Sequence, residues 1–265
     1  MRAVTWGLMI VVAILCLWTQ RVRAAEFVYI PSSPQIPTDR NQLVLIGEIV
    51  PGDYDRFVSA IRSHGTDFLA LHLRSGGGNV QEAIRIGRLV RQLLIFTYAA
   101  PPQELQGMTP ESINKCSYDA RFVRHPVPCI CASACTLIFL SGVFRVGWEM
   151  YVHSIAYDKK YYGSLPPQEA AIKYRQGMEE VKSYLAEIGV DNKWYDRMLG
   201  TSSAQLDKVT LNQAPELFGW EPAMREWLLA KCGTKQAVDM NTGSCWSDPI
   251  EKARVEAVKK FLAQN

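Results

Sequence analysis

An α/β domain with a parallel sheet is predicted by three features of the sequence. Short apolar runs alternate with helical periodicities from residue 43 onward. The runs are apolar on both alternating faces, as strands buried between two layers are. One of them runs straight into a triple glycine that opens the next helix, and strand, helix, strand in this order requires right-handed parallel crossovers.

The elements follow in order. Residues 25 to 40 carry Pro31, Ser32, Ser33, Pro34 and Pro37 and read as an extended lead-in. Leu43 to Ile46 is the first buried strand, and the ordered domain is expected over 41–225. Tyr54, Phe57, Val58 and Ile61 recur at helical spacing and predict an amphipathic helix ending near Gly65. Phe68 to Leu73 is a second strand, followed by Ser75, Gly76, Gly77, Gly78 and Asn79 and by a helix carrying Val80, Ile84, Leu89, Val90 and Leu93. A third strand is expected at Leu94 to Tyr98.

From about 101 to 128 the chain is polar and broken by prolines, too long for an ordinary connection, so it reads as a functional flap or a flexible insertion. Cys129 to Cys135 then suggests a strand, a tight turn and a buried helix through Leu140. Two short strands are expected at Phe144 to Val146 and Met150 to His153. Ala171, Tyr174, Met178, Val181, Leu185 and Ile188 mark a long helix from Pro167, stopped by Gly189. Asp248 as N-cap, Pro249 at the first helical position and Glu251 at the third predict the last helix, within a C-terminal helical appendage over 226–265.

With 265 residues, 48% apolar and 21% charged, the chain is long enough for a real core, which excludes disorder and a disulfide-only miniprotein. The first 24 residues read as a secretory signal peptide: Arg2, an apolar run from Val4 to Trp18, and small residues before cleavage at Ala25. The run falls short of the roughly 20 residues of a spanning helix; an uncleaved N-terminal anchor is the alternative. Loss of Arg2, Arg21 and Arg23 takes the cations from 29 to 26, equal to the 26 acids. A neutral mature chain offers no basic stripe for nucleic acid or an anionic membrane.

Cys16 leaves with the leader, and an even set remains: Cys116, Cys129, Cys131, Cys135, Cys232 and Cys245. Export makes disulfides the default, and a periplasmic or secreted location is expected. Cys232 with Cys245 is the easiest pair, closing a polar loop and tethering the last helix. The other four permit three pairings. Zinc is the rival reading of Cys129, Cys131 and Cys135 beside His125, but the spacing matches no common zinc module. No metal and no cofactor is expected.

Two features carry chemistry. Glycines between strand and helix let the backbone turn sharply and aim N–H groups at an anion or a developing oxyanion. A phosphate loop would need a following Gly-Lys-Ser or Thr, and Asn79-Val80-Gln81 stands there instead. The second feature is Ser133 among small residues at a helix start, with His153 at a strand end. A serine nucleophile needs a base for its proton, and small neighbours leave its Oγ reachable. Taken singly, Ser133 reads as an N-cap and His153 as a satisfied strand-end histidine. His64 belongs to a helix C-terminus, His72 to a buried strand and His125 to a loop.

Leu43 to Ile49, Ser75 to Val80, Cys131 to Cys135 and Tyr151 to Ser154, in this order, resemble the Clp protease proteolytic subunit within the ClpP/crotonase superfamily, particularly exported Clp-protease-like relatives. The match covers roughly Leu43 to Tyr157 and, more loosely, Leu199 to Trp220. The resemblance implies a spiral of ββα units, here with the helical extension. It implies Ser133 as nucleophile, His153 as general base, and an oxyanion hole from the backbone N–H groups of Gly78 and Ala134. The aspartate that orients the histidine in that family falls on Val209, so the third member is unassigned among Asp207, Asp196 and Asp158. A disulfide from Cys116 to Cys129 or Cys131 would pin the insertion over the site.

The expected function is an exported serine hydrolase, a peptidase acting on a peptide or protein substrate, without an ATPase partner because ATP is absent outside the cytoplasm. A homo-oligomer is expected from the superfamily. The alternatives are an inactive member binding a peptide or protein partner, and an acyl-thioester enzyme of the crotonase type, against which export argues.

Overall fold

Leu43, Val44, Leu45 and Ile46 are buried on both faces, as a strand inside a two-sided layer requires. They lie in β2 (Gln42–Ile46) of a six-stranded sheet in a computed structural model that describes residues 24–32, 41–99, 130–157, 159–233, 245 and 247–264. The expected signal peptide over 1–24 lies, but for Ala24, outside these residues, as do the insertion at 101–128, Cys116, Cys129, His125 and Asp158.

The sheet order is β1 (Glu26–Ile30), β2, β3 (Ala70–Arg74), β4 (Phe96–Ala99), β5 (Phe144–Val146), β8 (Gly219–Trp220). β2 to β5 run parallel, and the two edges, β1 and β8, are antiparallel. The mixed α/β class with a parallel-strand sheet is therefore as expected. Between the strands come α1 (Asp53–His64), α2 (Val80–Gln92) and α3 (Ala134–Ser141). β6 (Glu149–Val152) leaves the main sheet and pairs antiparallel with β7 (Asp207–Thr210). α4 (Lys159–Gly163), α5 (Pro167–Glu187), α6 (Asn192–Gly200), α7 (Pro222–Cys232) and α8 (Ser247–Gln264) complete the described helices.

Three expectations shift. The lead-in contains a strand: Glu26 to Ile30 pair in register with Ile46 to Gln42 as β1. The third strand starts at Phe96, because Leu94 takes a positive φ of 54° and turns the chain out of α2. The last helix begins at Ser247, so Asp248 and Pro249 lie inside its first turn and not at the cap and first position.

The core sits between the sheet and α1, α2, α3 and α5, through Phe57, Ile61, Ile84, Leu89, Ile138, Phe139 and Leu185. Gly87 lets α2 approach α5, since a Cβ there would lie 1.9 Å from the Tyr184 hydroxyl. A second cluster joins Phe96, Phe144, Trp220, Leu228 and Ile250. α8 feeds both clusters, Ile250 entering the second and Val258 and Phe261 the first. Its buried Arg254 donates to the carbonyls of Gly65 (2.7 Å) and Thr66 (3.1 Å), satisfying acceptors just past the end of α1.

Cys232 and Cys245 are joined, as expected, with Cα atoms 6.0 Å apart. The bond closes the loop between α7 and α8. Replacing both cysteines with alanine should cost about 3 kcal/mol by chain entropy. That is a fall of roughly 10 °C in Tm for a domain of this size, read by calorimetry.

Candidate active site

The stretch from Ile130 to Ser133 is threaded between the end of β3 and β6. Ser75 N donates to the Ile130 carbonyl (2.9 Å) and Ala132 N to the Ser75 carbonyl (3.1 Å). On the other side Tyr151 N donates to Cys131 O (3.1 Å) and Ser133 N to Tyr151 O (2.9 Å). At Ser133 the chain turns into α3 with φ 56° and ψ −127°. A positive φ at a residue with a Cβ is strained, by about 1–3 kcal/mol, and persists only where the surroundings impose it. Here they do so on both sides of the serine. The Thr136 hydroxyl also donates to Tyr151 O (3.0 Å), and a disulfide joins Cys131 to Cys135 across the turn. Cys131 is thus committed to Cys135, which removes it as one of the two partners expected for Cys116; the other, Cys129, lies outside the described residues.

Ser133 occupies the N-cap position of α3, yet its side chain makes no capping hydrogen bond. Sharp strand-to-helix elbows of this kind lift a nucleophile's Oγ clear of its neighbours.

The glycine turn packs against this elbow. Gly77, at φ 106°, leaves no room for a side chain, since a Cβ would lie 2.5 Å from Ser133 Cβ and 3.0 Å from Ala134 N. At Gly78, φ 135°, a Cβ would lie 2.1 Å from the Ile49 carbonyl oxygen. Ile49 N donates to Gly77 O (2.8 Å) and Asn79 N to Ile49 O (2.7 Å). In the elbow Cys135 N and Thr136 N turn back to the carbonyls of Ala132 (3.1 Å) and Ser133 (2.9 Å). Among the described residues the N–H groups of Gly78 and Ala134 stand outside these backbone bonds. Ala134 is the first residue of its helix, where an N–H has no carbonyl four residues back to use.

Ser133, His153, Gly78 and Ala134 all line one cavity of about 460 Å³. Val80, Leu137, Ile155, Met178, Val181 and Met198 give it an apolar wall, and Glu48, Ser154, Tyr157 and Ser203 join Ser133 and His153 in a polar share of about the same extent. His153 follows the last residue of β6 and is half-buried. Its Nδ1 lies 2.5 Å from the Ser154 carbonyl oxygen. A carbonyl only accepts, so Nδ1 carries the proton and Nε2 of the neutral ring has the free lone pair.

No acid from the expected set fills the orienting role among the described residues. Asp207 is gripped by Arg197 through two bonds, Nε to Oδ2 (2.5 Å) and Nη2 to Oδ1 (2.9 Å). That guanidinium holds its carboxyl below the usual carboxylate range. Asp196 is exposed on α6, and Asp158 lies outside the described residues. The remaining described histidines are elsewhere: His64 stacks on Tyr29 and His72 on Tyr98. Sequence reasoning missed Glu48, Ser154 and the apolar wall from α5, because a backbone acceptor and a cavity between distant helices leave no motif.

The fold and this cavity define a mixed α/β protein with a serine on a strained strand-to-helix elbow and a histidine of set tautomer on the same cavity wall. No protein-family model matches the chain, and no curated protein sequence is significantly similar to it. Among solved structures it is similar to a ClpP1 mutant from Listeria monocytogenes, with 13% identity and a TM-score of 0.42, covering 66% of this chain and 86% of that one. It is also similar to a mutant of the 1510-N membrane-bound stomatin-specific protease, at 18% identity and a TM-score of 0.41, over 76% and 86% of the two chains. An enoyl-CoA hydratase, EchA3, from Mycobacterium ulcerans Agy99 is similar at 12% identity and a TM-score of 0.38, over 91% and 96%.

Proposed function

We propose that the protein is an exported serine hydrolase that cleaves peptides with a Ser133–His153 pair. The observation that carries this reading is Ser133 itself: a non-glycine residue at φ 56°, unused as a cap, on the same cavity as a histidine whose Nδ1 is engaged by a carbonyl. In the first step Ser133 Oγ attacks the substrate carbonyl carbon while His153 Nε2 takes the hydroxyl proton. The resulting oxyanion accepts hydrogen bonds from the N–H groups of Gly78 and Ala134. Collapse breaks the C–N bond, and the imidazolium gives its proton to the leaving amine. Water then attacks the acyl-enzyme with Nε2 again as base, the acid is released and the serine recovers its proton.

The two cysteine pairs, Cys131–Cys135 and Cys232–Cys245, support a life in an oxidising compartment, periplasmic or secreted. The apolar wall of the cavity suits an uncharged side chain next to the bond cleaved.

The test is covalent trapping of the chain beginning at Ala25, with its disulfides formed, by a fluorophosphonate carrying a fluorophore. Labelling is expected to approach one adduct per chain, to map by mass spectrometry to the peptide holding Ser133, and to vanish in Ser133→Ala. A folded, oxidised protein that takes no label would end the hydrolase reading and leave the fold as a binding module.

A further inference from the structure

Resting on the hydrolase reading, the geometry points to Arg197 and Asp207, acting through Thr201 and Ser154, as the positioning arm of His153, in the role that none of the expected acids fills among the described residues. The links form a closed ring. His153 Nδ1 donates to Ser154 O at 2.5 Å. Ser154 N in turn donates to the carbonyl of Thr201 at 2.9 Å, just past the end of α6. Thr201 is fastened to the last turn of that helix twice, N to Met198 O (3.2 Å) and Oγ1 to Arg197 O (2.9 Å). Arg197 then grips Asp207 with Nε and Nη2 and also donates from Nη2 to Lys208 O (3.1 Å). Asp207 is paired in register with Val152, the residue before His153. The ring thus starts and ends on the histidine's own strand.

Its geometry explains why a carbonyl suffices. A carboxylate on a free rotamer must be fixed by its own partners, whereas Ser154 is buried, its N–H is held by Thr201, and the strand leading to it is paired with β7 as far as Val152. The position of Ser154, and through it the carbonyl offered to the imidazole, therefore depends on where α6 ends. Fork-shaped bidentate pairing of arginine with carboxylate sets that position more sharply than a single bond. Asp207 and Arg197 touch neither substrate nor imidazole; they act through two intervening residues.

The experiment reads the tautomer directly, by nitrogen NMR of protein labelled with ¹⁵N-histidine, alongside hydrolysis of p-nitrophenyl acetate. In the unaltered protein at alkaline pH the His153 signal is expected from a ring protonated at Nδ1. In Asp207→Asn and in Arg197→Gln it should become a mixture of the two tautomers. There kcat should fall roughly 10- to 100-fold, the range for a small displacement imposed from outside the chemistry, with KM within about two-fold. The double variant should be no slower than the worse single one, since both break the same link. Thr201→Val should behave like them, and Thr201→Ser, which keeps Oγ1, should restore both readings. If Asp207→Asn does not fold, the Thr201 pair carries the test. A pure Nδ1–H tautomer and an unchanged kcat in all these variants would overturn the inference. Because the tautomer is measured without turnover, an Nδ1–H ring that responds to the variants in a protein that takes no fluorophosphonate would uphold the arm while sinking the hydrolase reading alone.

Discussion

Ser133→Ala and His153→Ala are each expected to lower kcat for ester and peptide hydrolysis by about 10⁴- to 10⁶-fold, and the double variant to be no slower than the worse single one. Nucleophile and base act as a unit: without the base the serine stays a poor nucleophile, and without the serine the base has no proton to take. The residual rate should still exceed that in water, because the N–H groups of Gly78 and Ala134 remain. Single-turnover kinetics with the three variants decide the matter; losses that multiply in the double variant would mean that the two residues do not share a step. Stability should move the other way at one of them. Ser133→Gly removes the Cβ that resists φ 56°, so it should be inactive yet more stable by about 1 kcal/mol, as is common where an active residue is held under strain.

The second large effect is expected at Gly78. A methyl there would sit 2.1 Å from Ile49 O and 2.8 Å from Ile49 N, both backbone atoms that cannot swing aside, at a φ of 135° that side chains rarely adopt. Gly78→Ala must break the Ile49 bonds or rotate its own peptide, and either change displaces the N–H that the proposed mechanism uses. The expected loss is 10²- to 10³-fold in kcat, the usual cost of one oxyanion donor, together with roughly 2–4 kcal/mol of stability from the clash. Gly76→Ala is the control: nothing lies within 4 Å of a Cβ there, and its φ is not in the positive range. Equal behaviour of the two variants would remove Gly78 from the site.

The site was legible to different depths at different residues. Ser133 and His153 could be singled out because small neighbours before an apolar helix and a histidine at a strand end are local patterns, and both do line one cavity. The partner of His153 could not be, because it is the main-chain carbonyl of Ser154, which every residue possesses and no side chain announces. Asp207 was in view as a candidate acid, but its two bonds to Arg197 depend on α6 and β7 meeting side by side. The cysteines divide in the same way. Cys232 with Cys245 followed from the short polar loop between them, whereas Cys131 with Cys135 required the tight turn at Ser133 that brings their Cα atoms to 5.3 Å.

In the fold, β2 and β3 were readable as short apolar runs fit for burial on both faces, and α1, α2 and α5 because each repeats the 3.6-residue period over several turns against a buried face. β1 was not, since its edge position leaves it only half-buried and prolines follow it. β7 and β8 are four and two residues long, and they exist only through the strands beside them. Sequence alone therefore determined what short-range periodicity and residue size can encode: the α/β alternation, the glycine turn, and a serine and a histidine set at element ends. The tertiary structure alone decided which peptide groups face the imidazole, which cysteines meet and which aspartate is taken by an arginine. Those outcomes depend on the separation in space of segments far apart along the chain, and such distances are set by packing and not by any local pattern.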